Sequence, residues 1–291
     1  MKGKSKIAVL TVVYPGVEKY IDDYLRSVND QTLAEFHLVL IDDGLENLYG
    51  YLSEKLAISF EILKGTGSPA KNRQIGIRHC FACGIDYLIF ADVDDVMSIN
   101  RVETSLNLLE STAADVVFND VDIITDNGTF LLKSYFAPRL PESGLTSLSD
   151  ILHFNYLGMS NTAIQLDSSL VIELPTSLLA VDWYYFSLLL SKGCTVRFNS
   201  FAKTLYRQHG SNTVGIKNPS IDTLIQAINV KAEHYRLLKE NYREVAKYYE
   251  YFDGLLHKIG DIEFVQTYYN CCLKNLEDRP CWWELAKYYE E

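Results

Sequence analysis

The chain has 291 residues, a length that suits one large domain or one domain with a small appendage. Hydrophobic residues make up 48% and charged residues 22%, so the chain can bury a sizeable core and its composition argues against disorder. The formal net charge is −11, which repels phosphate backbones and argues against nucleic acid as the main partner.

In the first part of the chain, four apolar, β-branched runs alternate with stretches of helical spacing. The predicted strands cover residues 6–13, 37–41, 59–63 and 87–91, with one helix expected over 70–83. This alternation predicts a Rossmann-like α/β fold, with a mostly parallel sheet and helices on both faces. A ligand of such a sheet binds at the carboxyl ends of the strands.

The second part of the chain changes character. Asn127-Gly128 is a hairpin signal between two strands, and a helix over 181–192 is expected to end at Gly193. Helical, tyrosine-rich segments follow from about residue 219. We therefore predict an α/β domain over 1–218 and an α-helical subdomain over 219–291.

No targeting or membrane segment is expected. We interpret the apolar start as the first strand, and no run approaches the roughly 18 apolar residues that a membrane span needs. Six cysteines in a chain of this length favour free thiols in a reducing cytoplasm. The Cys80-x-x-Cys83 pair is interpreted as part of a buried helix rather than a metal site, because no second pair follows at zinc-ribbon spacing.

Acidic residues follow two of the predicted strands. Asp42 and Asp43 come after the second, and Asp92, Asp94 and Asp95 after the fourth. Carboxylates gathered at one sheet edge repel one another unless a cation is present, and oxygen ligands suit Mg²⁺ or Mn²⁺. The alternative is that these residues only form turns and cap helices.

Six segments of the chain share a pattern and cover about residues 6–213. They are, in order, VLTVVYPGVEKYIDDYLRSVNDQT, HLVLIDDG, SPAKNRQIGI, DYLIFADVDD, AVDWYYFSLLLSKG and YRQHGSNT. Together they resemble the family 2 glycosyltransferases of the GT-A fold.

The resemblance implies a binding site for a nucleotide-sugar donor. Thr11, Val13 and Tyr14 would border the base, and Asp42 or Asp43 would accept hydrogen bonds from the uracil or the ribose.

A basic residue of the helix before the acidic motif would also face the donor. The chain can be aligned with either Lys71 or Arg73 at that position.

The resemblance also implies a metal site of Mn²⁺ or Mg²⁺. Asp94 would be the direct ligand, Asp92 would contact the ribose or a metal-bound water, and Asp95 would support the loop. His209 would approach the metal or the diphosphate, with Arg207 as an alternative on the phosphate side.

The match to inverting members implies that Asp182 is the catalytic base, since a single displacement needs one carboxylate near the acceptor hydroxyl. The alternative is that Asp182 only caps its helix. Trp183 would lie on the acceptor side, and residues 210–213 would form a loop that closes over the donor.

These observations favour a metal-dependent inverting glycosyltransferase. It would move a sugar from a nucleotide-diphosphate donor, a UDP-sugar, to a hydroxyl of a glycan or lipid-linked saccharide. One alternative is a catalytically silent scaffold. Another is a sugar-nucleotide nucleotidyltransferase, which would need a glycine-rich basic loop where Val12 to Gly16 stand.

The C-terminal helices leave several interpretations open. One interpretation is a small subdomain packed on the α/β domain. The alternatives are a surface for a homodimer or a peripheral contact with the membrane by an otherwise cytoplasmic protein.

Overall fold

The computed structural model describes residues 5–142, 144–145, 147–209, 219–274, 276 and 281–289. The chain divides into two compact units. The first consists of Met1–Thr146, Leu157–Thr176 and Lys192–His209, and the second of Ser147–Tyr156, Ser177–Ser191 and Gly210–Glu291. The predicted domain boundary after residue 218 falls outside the described residues and stays a prediction.

The first unit holds a sheet. Among the described residues its strands are β1 (Ile7–Val13), β2 (His37–Asp42), β3 (Phe60–Lys64), β4 (Tyr87–Phe90), β5 (Val96–Met97), β6 (Val116–Thr125), β7 (Phe130–Leu132), β8 (Thr162–Gln165) and β9 (Val196–Gln208). They lie in the order β3-β2-β1-β4-β8-β6-β9-β5, with β7 paired to β6. The helices of this unit are α1 (Ile21–Asn29), α2 (Leu48–Lys55), α3 (Pro69–Ala82) and α4 (Arg101–Thr112).

The predicted α/β class is confirmed. β1 pairs in parallel with β2 and β4, and β2 pairs in parallel with β3, as the alternation of strands and helices indicated. Beyond β4 the sheet is mixed, because β8 runs antiparallel to both β4 and β6. Every residue of β1 is buried, as expected for a strand that is covered on both faces.

Parallel pairing brings the ends of the first strands to one edge. Val13 of β1 lies opposite Asp42 of β2, which lies opposite Lys64 of β3. Helix α3 packs closely on β1 because Gly76 has no side chain: a Cβ there would lie 2.4 Å from a methyl carbon of Leu10. The predicted ligand-binding edge of the sheet is therefore formed by residues that follow these strands.

The predicted hairpin is also present. β6 and β7 pair antiparallel, and Gly128 in the connecting turn has φ +84°. This is the left-handed region that glycine reaches without steric cost, so the Asn-Gly signal acted as expected.

The second unit is helical, as the sequence indicated. Its described helices are α5 (Val181–Ser191), α6 (Ile221–Leu238), α7 (Ala246–Leu256), α8 (Ile262–Leu273) and α9 (Trp282–Leu285). Trp183, Tyr235 and Phe252 are fully buried and form the aromatic centre of this unit, with Tyr235 edge-on to Trp183 and stacked on Phe252. None of the described helices is both long and apolar enough to cross a membrane.

Candidate active site

A cleft of about 510 Å³ opens at the carboxyl ends of β2 and β3. Oδ1 of Asp42 accepts backbone hydrogen bonds from Gly44 at 3.0 Å and Leu45 at 2.9 Å, and Oδ1 of Asp43 accepts one from Gly67 at 2.6 Å. These bonds fix both carboxylates in the wall of the cleft. The lining residues are Asp42, Asp43, Gly44, Ile62, Lys64, Gly65 and Gly67.

Gly65 allows the two strands to approach at this point. A Cβ at position 65 would lie 2.6 Å from Oδ1 of Asp43 and 2.8 Å from the backbone oxygen of Asp42. The backbone N–H of Gly65 also donates to that Asp42 oxygen at 2.7 Å. A side chain at residue 65 would therefore displace the acidic wall.

Two predicted site residues, Tyr14 and His209, contact the carboxylate of Asp94. Its Oδ2 accepts a hydrogen bond from the hydroxyl of Tyr14 at 3.0 Å and lies 2.9 Å from Nε2 of His209. The side chain of His209 is 4% exposed, so the imidazole is held inside the protein. Burial and the Asp94 carboxylate both raise the pKa of Tyr14.

Asp95 is buried and anchors the same loop. Its carboxylate accepts hydrogen bonds from the hydroxyl of Ser160 and from the backbone N–H of Arg207, the latter at 2.8 Å. Burial, followed by the charges of Asp94 and Asp92, raises the pKa of Asp95 well above its usual range. Asp95 therefore ties the acidic loop to β9, in agreement with its expected supporting position.

Arg73 reaches the acidic motif and Lys71 does not. The guanidinium of Arg73 forms an ion pair with Asp92, whereas Nζ of Lys71 lies 3.4 Å from the side-chain oxygen of Gln74. Partial burial raises the pKa of Asp92, and the Arg73 charge opposes that shift. Of the two alternatives left open by the sequence, Arg73 is the one beside the Asp-x-Asp motif.

The expected three-residue metal set is not assembled among the described residues. Asp94 meets His209, whereas Asp92 pairs with Arg73, and no three ligand atoms of Asp92, Asp94 and His209 gather within 4.8 Å. The expectation is corrected to a pair, Asp94 and His209.

The donor set nevertheless fits a divalent cation. Burial disfavours the charged forms of Asp92 and Asp95, so positive charge beyond that of Arg73 stabilises the ionised cluster. Carboxylate oxygens with one imidazole suit Mn²⁺ or Mg²⁺.

Arg207 corrects a second expectation. Its guanidinium is 2% exposed and is already committed to protein acceptors: Nε donates to the Asp94 backbone oxygen, Nη1 to that of Asp126 and Nη2 to the Asp23 carboxylate, each at 2.9 Å. It also lies over the ring of Tyr20. A phosphate contact would need some of these donors, so Arg207 is a structural brace under the acidic loop.

Thr11 and Val13 are likewise corrected. Both side chains are fully buried, and the backbone oxygen of Val13 accepts a hydrogen bond from Asp43 at 2.8 Å. Neither side chain can touch a nucleotide in this arrangement. They support the cleft from within the sheet, because β1 ends directly before Tyr14 and its last residue, Val13, lies opposite Asp42.

Asp182 and Trp183 belong to the second unit. Asp182 lies in the first turn of α5, is half-buried and accepts a hydrogen bond from the Trp183 backbone at 2.7 Å. Trp183 is fully buried: its indole N–H donates to the Ile151 oxygen at 2.7 Å and its ring stacks on His234 at 3.7 Å. The expected acceptor-side position of Trp183 is therefore wrong, because both its faces and its polar edge are used in the core.

The structure also adds residues that sequence reasoning missed. Tyr20 packs on the His209 ring at 4.8 Å, and its hydroxyl donates to Asp126. Lys19 pairs with the same carboxylate at 2.8 Å. Tyr20 carried no motif signal, because its partners are more than a hundred residues away. The predicted closing loop over 210–213 lies outside the described residues.

The match to known proteins agrees with this geometry. The model of the family described as "Glycosyl transferase family 2" matches residues 8–166, more than half of the chain. The chain therefore belongs to glycosyl transferase family 2, a family of glycosyltransferase enzymes.

Two curated relatives carry the name glycosyltransferase. The chain is 26% identical over 121 residues to "Glycosyltransferase GlyG" of Streptococcus pneumoniae, a match that covers 39% of this chain and 38% of the relative. It is 24% identical over 199 residues to the "Putative teichuronic acid biosynthesis glycosyltransferase TuaG" of Bacillus subtilis, covering 66% of this chain and 75% of the relative. The chain thus spans little more than a third of the GlyG protein.

Solved structures share the fold. Residues 1–349 of S. aureus TarS, in complex with UDP-GlcNAc, are 18% identical with a TM-score of 0.55, and the match covers 79% of this chain and 66% of that fragment. The mannosyltransferase PcManGT from Pyrobaculum calidifontis, in complex with GDP-Man and Mn²⁺, is 10% identical with a TM-score of 0.58, covering 95% and 77%. At these identities the likeness establishes the GT-A-type fold, as the sequence resemblance predicted.

Proposed function

We propose that this protein is a metal-dependent inverting glycosyltransferase that transfers a sugar from a UDP-sugar to a hydroxyl of a glycan or lipid-linked saccharide. The observation that carries the proposal is the convergence of Tyr14 and His209 on Asp94, at the strand edge that also forms the acidic cleft.

The cleft at β2 and β3 supplies the nucleoside side of the site. Because backbone N–H groups hold one oxygen of Asp42 and of Asp43, each carboxylate keeps a fixed orientation, with a second oxygen for a base or ribose donor. Lys64 lines the same cleft and adds a positive charge near it. A pyrimidine ring and ribose would bind here before the sugar is positioned.

Asp94 and His209 are the residues that would hold the divalent cation, Mn²⁺ or Mg²⁺. When bound, the ion would neutralise the two phosphates of the donor and make the nucleoside diphosphate a better leaving group. The chain contributes the alignment: Tyr14 and His209 orient the Asp94 carboxylate, and Arg207 fixes the backbone that carries it. The structures of TarS and PcManGT, which share this fold, each contain a bound nucleotide sugar.

Asp182 is the proposed base. An inverting displacement requires removal of one proton from the acceptor hydroxyl, and Asp182 is a half-buried carboxylate in the first turn of α5. Because Trp183 is buried, the acceptor-recognising residues must lie elsewhere. A dimer or a peripheral membrane contact through the helices of the second unit stays a prediction.

A binding experiment tests the donor half of this proposal without knowing the acceptor. Calorimetric titration of UDP in the presence of Mn²⁺ should give one site per chain, and binding should weaken strongly when Mn²⁺ is withheld. Asp94→Asn should abolish the metal-dependent part, because it removes the charge and keeps the shape.

The matched control is Glu110→Gln, which makes the same charge change at an exposed carboxylate of α4. It should leave the metal-dependent binding of UDP unchanged. Screening nucleotide sugars for slow donor hydrolysis then identifies the sugar. If no nucleoside diphosphate binds with Mn²⁺ or Mg²⁺, the silent-scaffold interpretation replaces the enzyme. Tighter binding of GDP than of UDP would overturn only the base assignment.

A further inference from the structure

A second cluster of metal-ligating side chains lies in the first unit, far from the acidic motif. Glu61 is near the start of β3, and His79 and Cys83 stand one helical turn apart at the end of α3. One ligand atom of each lies within 4.8 Å of the other two.

This cluster lies at the amino ends of the parallel strands. β3 runs from Phe60 to Lys64, α3 starts after the cleft and returns, and its last turn therefore reaches the edge opposite the nucleotide cleft. A strand of six residues such as β2 separates the two edges by about 17 Å, at roughly 3.3 Å per residue. A ligand here is distinct from anything held by Asp94.

The separations within the cluster are close to those of a tetrahedral metal site. Sγ of Cys83 lies 3.5 Å from Nε2 of His79, which lies 2.5 Å from Oε1 of Glu61. Ligand atoms about 2.0–2.3 Å from a zinc ion in tetrahedral geometry stand about 3.3–3.6 Å apart. The Cys83–His79 separation fits already, and the half-exposed Glu61 carboxylate needs to withdraw by less than about 1 Å.

His37 lies beside the cluster but is not one of its ligands. Its Nε2 lies 3.7 Å from the same Glu61 oxygen that faces His79, and its Nδ1 lies 2.9 Å from the hydroxyl of Ser59. The group whose ligand atoms all lie within 4.8 Å of one another contains Glu61, His79 and Cys83 and does not include His37. One carboxylate oxygen thus faces two imidazole Nε2 atoms, of which that of His79 also lies beside the thiol.

We propose that Glu61, His79 and Cys83 form a binding site for one Zn²⁺ ion. A mixed thiolate, imidazole and carboxylate set favours zinc over the Mg²⁺ or Mn²⁺ that oxygen-rich sites select. On binding, the Cys83 thiol releases its proton to solvent and its sulfur coordinates the metal. With three protein ligands, the fourth tetrahedral position is left for a water molecule.

Such an ion would link two elements of the sheet half that carries the donor cleft. Glu61 lies in β3, and α3 carries both His79 and Arg73, which pairs with Asp92. Fixing the end of α3 to β3 stabilises the folded unit. The effect of zinc would therefore appear first in stability rather than in chemistry.

Cobalt substitution gives a readout specific to this site. Metal-free protein titrated with Co²⁺ should develop a thiolate-to-cobalt charge-transfer absorption that saturates at one equivalent and is removed by Zn²⁺. A cobalt ion held by Asp94 and His209 produces no such band, because neither residue carries sulfur. Zn²⁺ should also raise the melting temperature of the metal-free protein.

Two variants and one matched control complete the test. Cys83→Ser and His79→Gln should each lose the band and most of the zinc-dependent rise in melting temperature. Cys271→Ser, at an exposed cysteine of α8, should keep both. A band that survives Cys83→Ser, or a dissociation constant of about 1 mM or weaker, overturns the proposal. Absence of the band in the unaltered protein also overturns the proposal. The carboxylate of Glu61 would then only share protons with His37 and His79.

Discussion

His209 and Asp94 are 115 residues apart in the chain, yet Nε2 of His209 lies 2.9 Å from Oδ2 of Asp94. The imidazole is nearly inaccessible and packs against Tyr20, so its position does not depend on solvent. The pair joins the end of β9 to the loop after β4. Through this contact, His209 and the acidic motif that contains Asp94 belong to one site.

We expect His209→Ala to weaken the binding of UDP with Mn²⁺ by about tenfold, because Asp94 loses an orienting partner and the metal a ligand, together worth about 1.4 kcal/mol. The measurement is calorimetric titration of the nucleotide with metal. His257→Ala, at an exposed histidine after α7, is the control and should bind normally. Unchanged donor affinity with a lower melting temperature would assign His209 to the core alone.

Arg207→Lys should destabilise the first unit. The lysine cannot replace all the donors that reach Asp94, Asp126 and Asp23, and each hydrogen bond lost from the buried charged side chain costs about 1.5 kcal/mol or more. Urea denaturation measures the loss. Arg26→Lys, at an exposed arginine that pairs with the same Asp23, should change the free energy of unfolding by about 0.5 kcal/mol or less. Normal stability with poor donor affinity would restore Arg207 as a phosphate contact.

Gly65→Ala should reduce nucleotide affinity by about tenfold, since the new methyl group would press on backbone atoms and the Asp43 carboxylate that form the cleft wall. Titration with UDP and Mn²⁺ measures the change. Gly260→Ala is the matched control, because a Cβ there meets nothing within 4 Å. Equal affinity for both variants would show that the nucleoside binds away from this cleft.

Asp182→Asn should leave donor binding intact and lower sugar transfer or donor hydrolysis by about 100-fold to 10,000-fold, because the amide cannot accept the acceptor proton. Release of UDP from the donor measures turnover, and titration measures binding. Asp222→Asn makes the same change in the first turn of α6 and separates base chemistry from helix-dipole effects. Turnover retained in Asp182→Asn removes this residue from the mechanism.

His234→Phe should stabilise the second unit by about 1 kcal/mol at neutral pH. His234 is buried against Trp183, and in the described part of the chain neither ring nitrogen has a hydrogen-bond partner, which is costly. Denaturation curves measure the gain. A destabilised variant would indicate that the imidazole has a polar partner after all.

The same histidine makes stability depend on pH. Burial lowers the pKa of His234 to about 3, whereas an unfolded histidine titrates near about 6.5. Between these values the unfolded state binds the extra proton, so stability falls as pH drops below about 6.5. His234→Phe should lose less stability than the unaltered protein between about pH 7 and pH 5. His257→Gln, at an exposed histidine, should keep the full dependence.

Local sequence was sufficient for much of the fold. The buried strands, the Asn127-Gly128 turn and the helix that begins at Val181 all follow from periodicity and turn chemistry, which act between neighbours in the chain. It also placed the acidic residues at one sheet edge, because parallel strands end together. The position of these acidic residues could thus be predicted from their spacing in the sequence.

Tertiary packing decided which side chains are exposed at that edge. Thr11, Val13, Trp183 and Arg207 all stand in motif positions, yet each is buried or fully engaged by distant parts of the chain. Burial depends on the neighbours that long-range contacts supply, and no local pattern specifies them.

The Cys80-x-x-Cys83 pair illustrates the same division. The sequence by itself determined the strand and helix pattern, the family and the acidic motif, because these depend on residue type and spacing. Only the tertiary structure set Glu61 beside His79 and Cys83, which are already one helical turn apart, and His209 beside Asp94. The first group forms because α3 packs on β2, the neighbour of β3 in the sheet. The second forms because β9 pairs with β5, the strand that follows the Asp94 loop. Electrostatic chemistry depends on such distances in space.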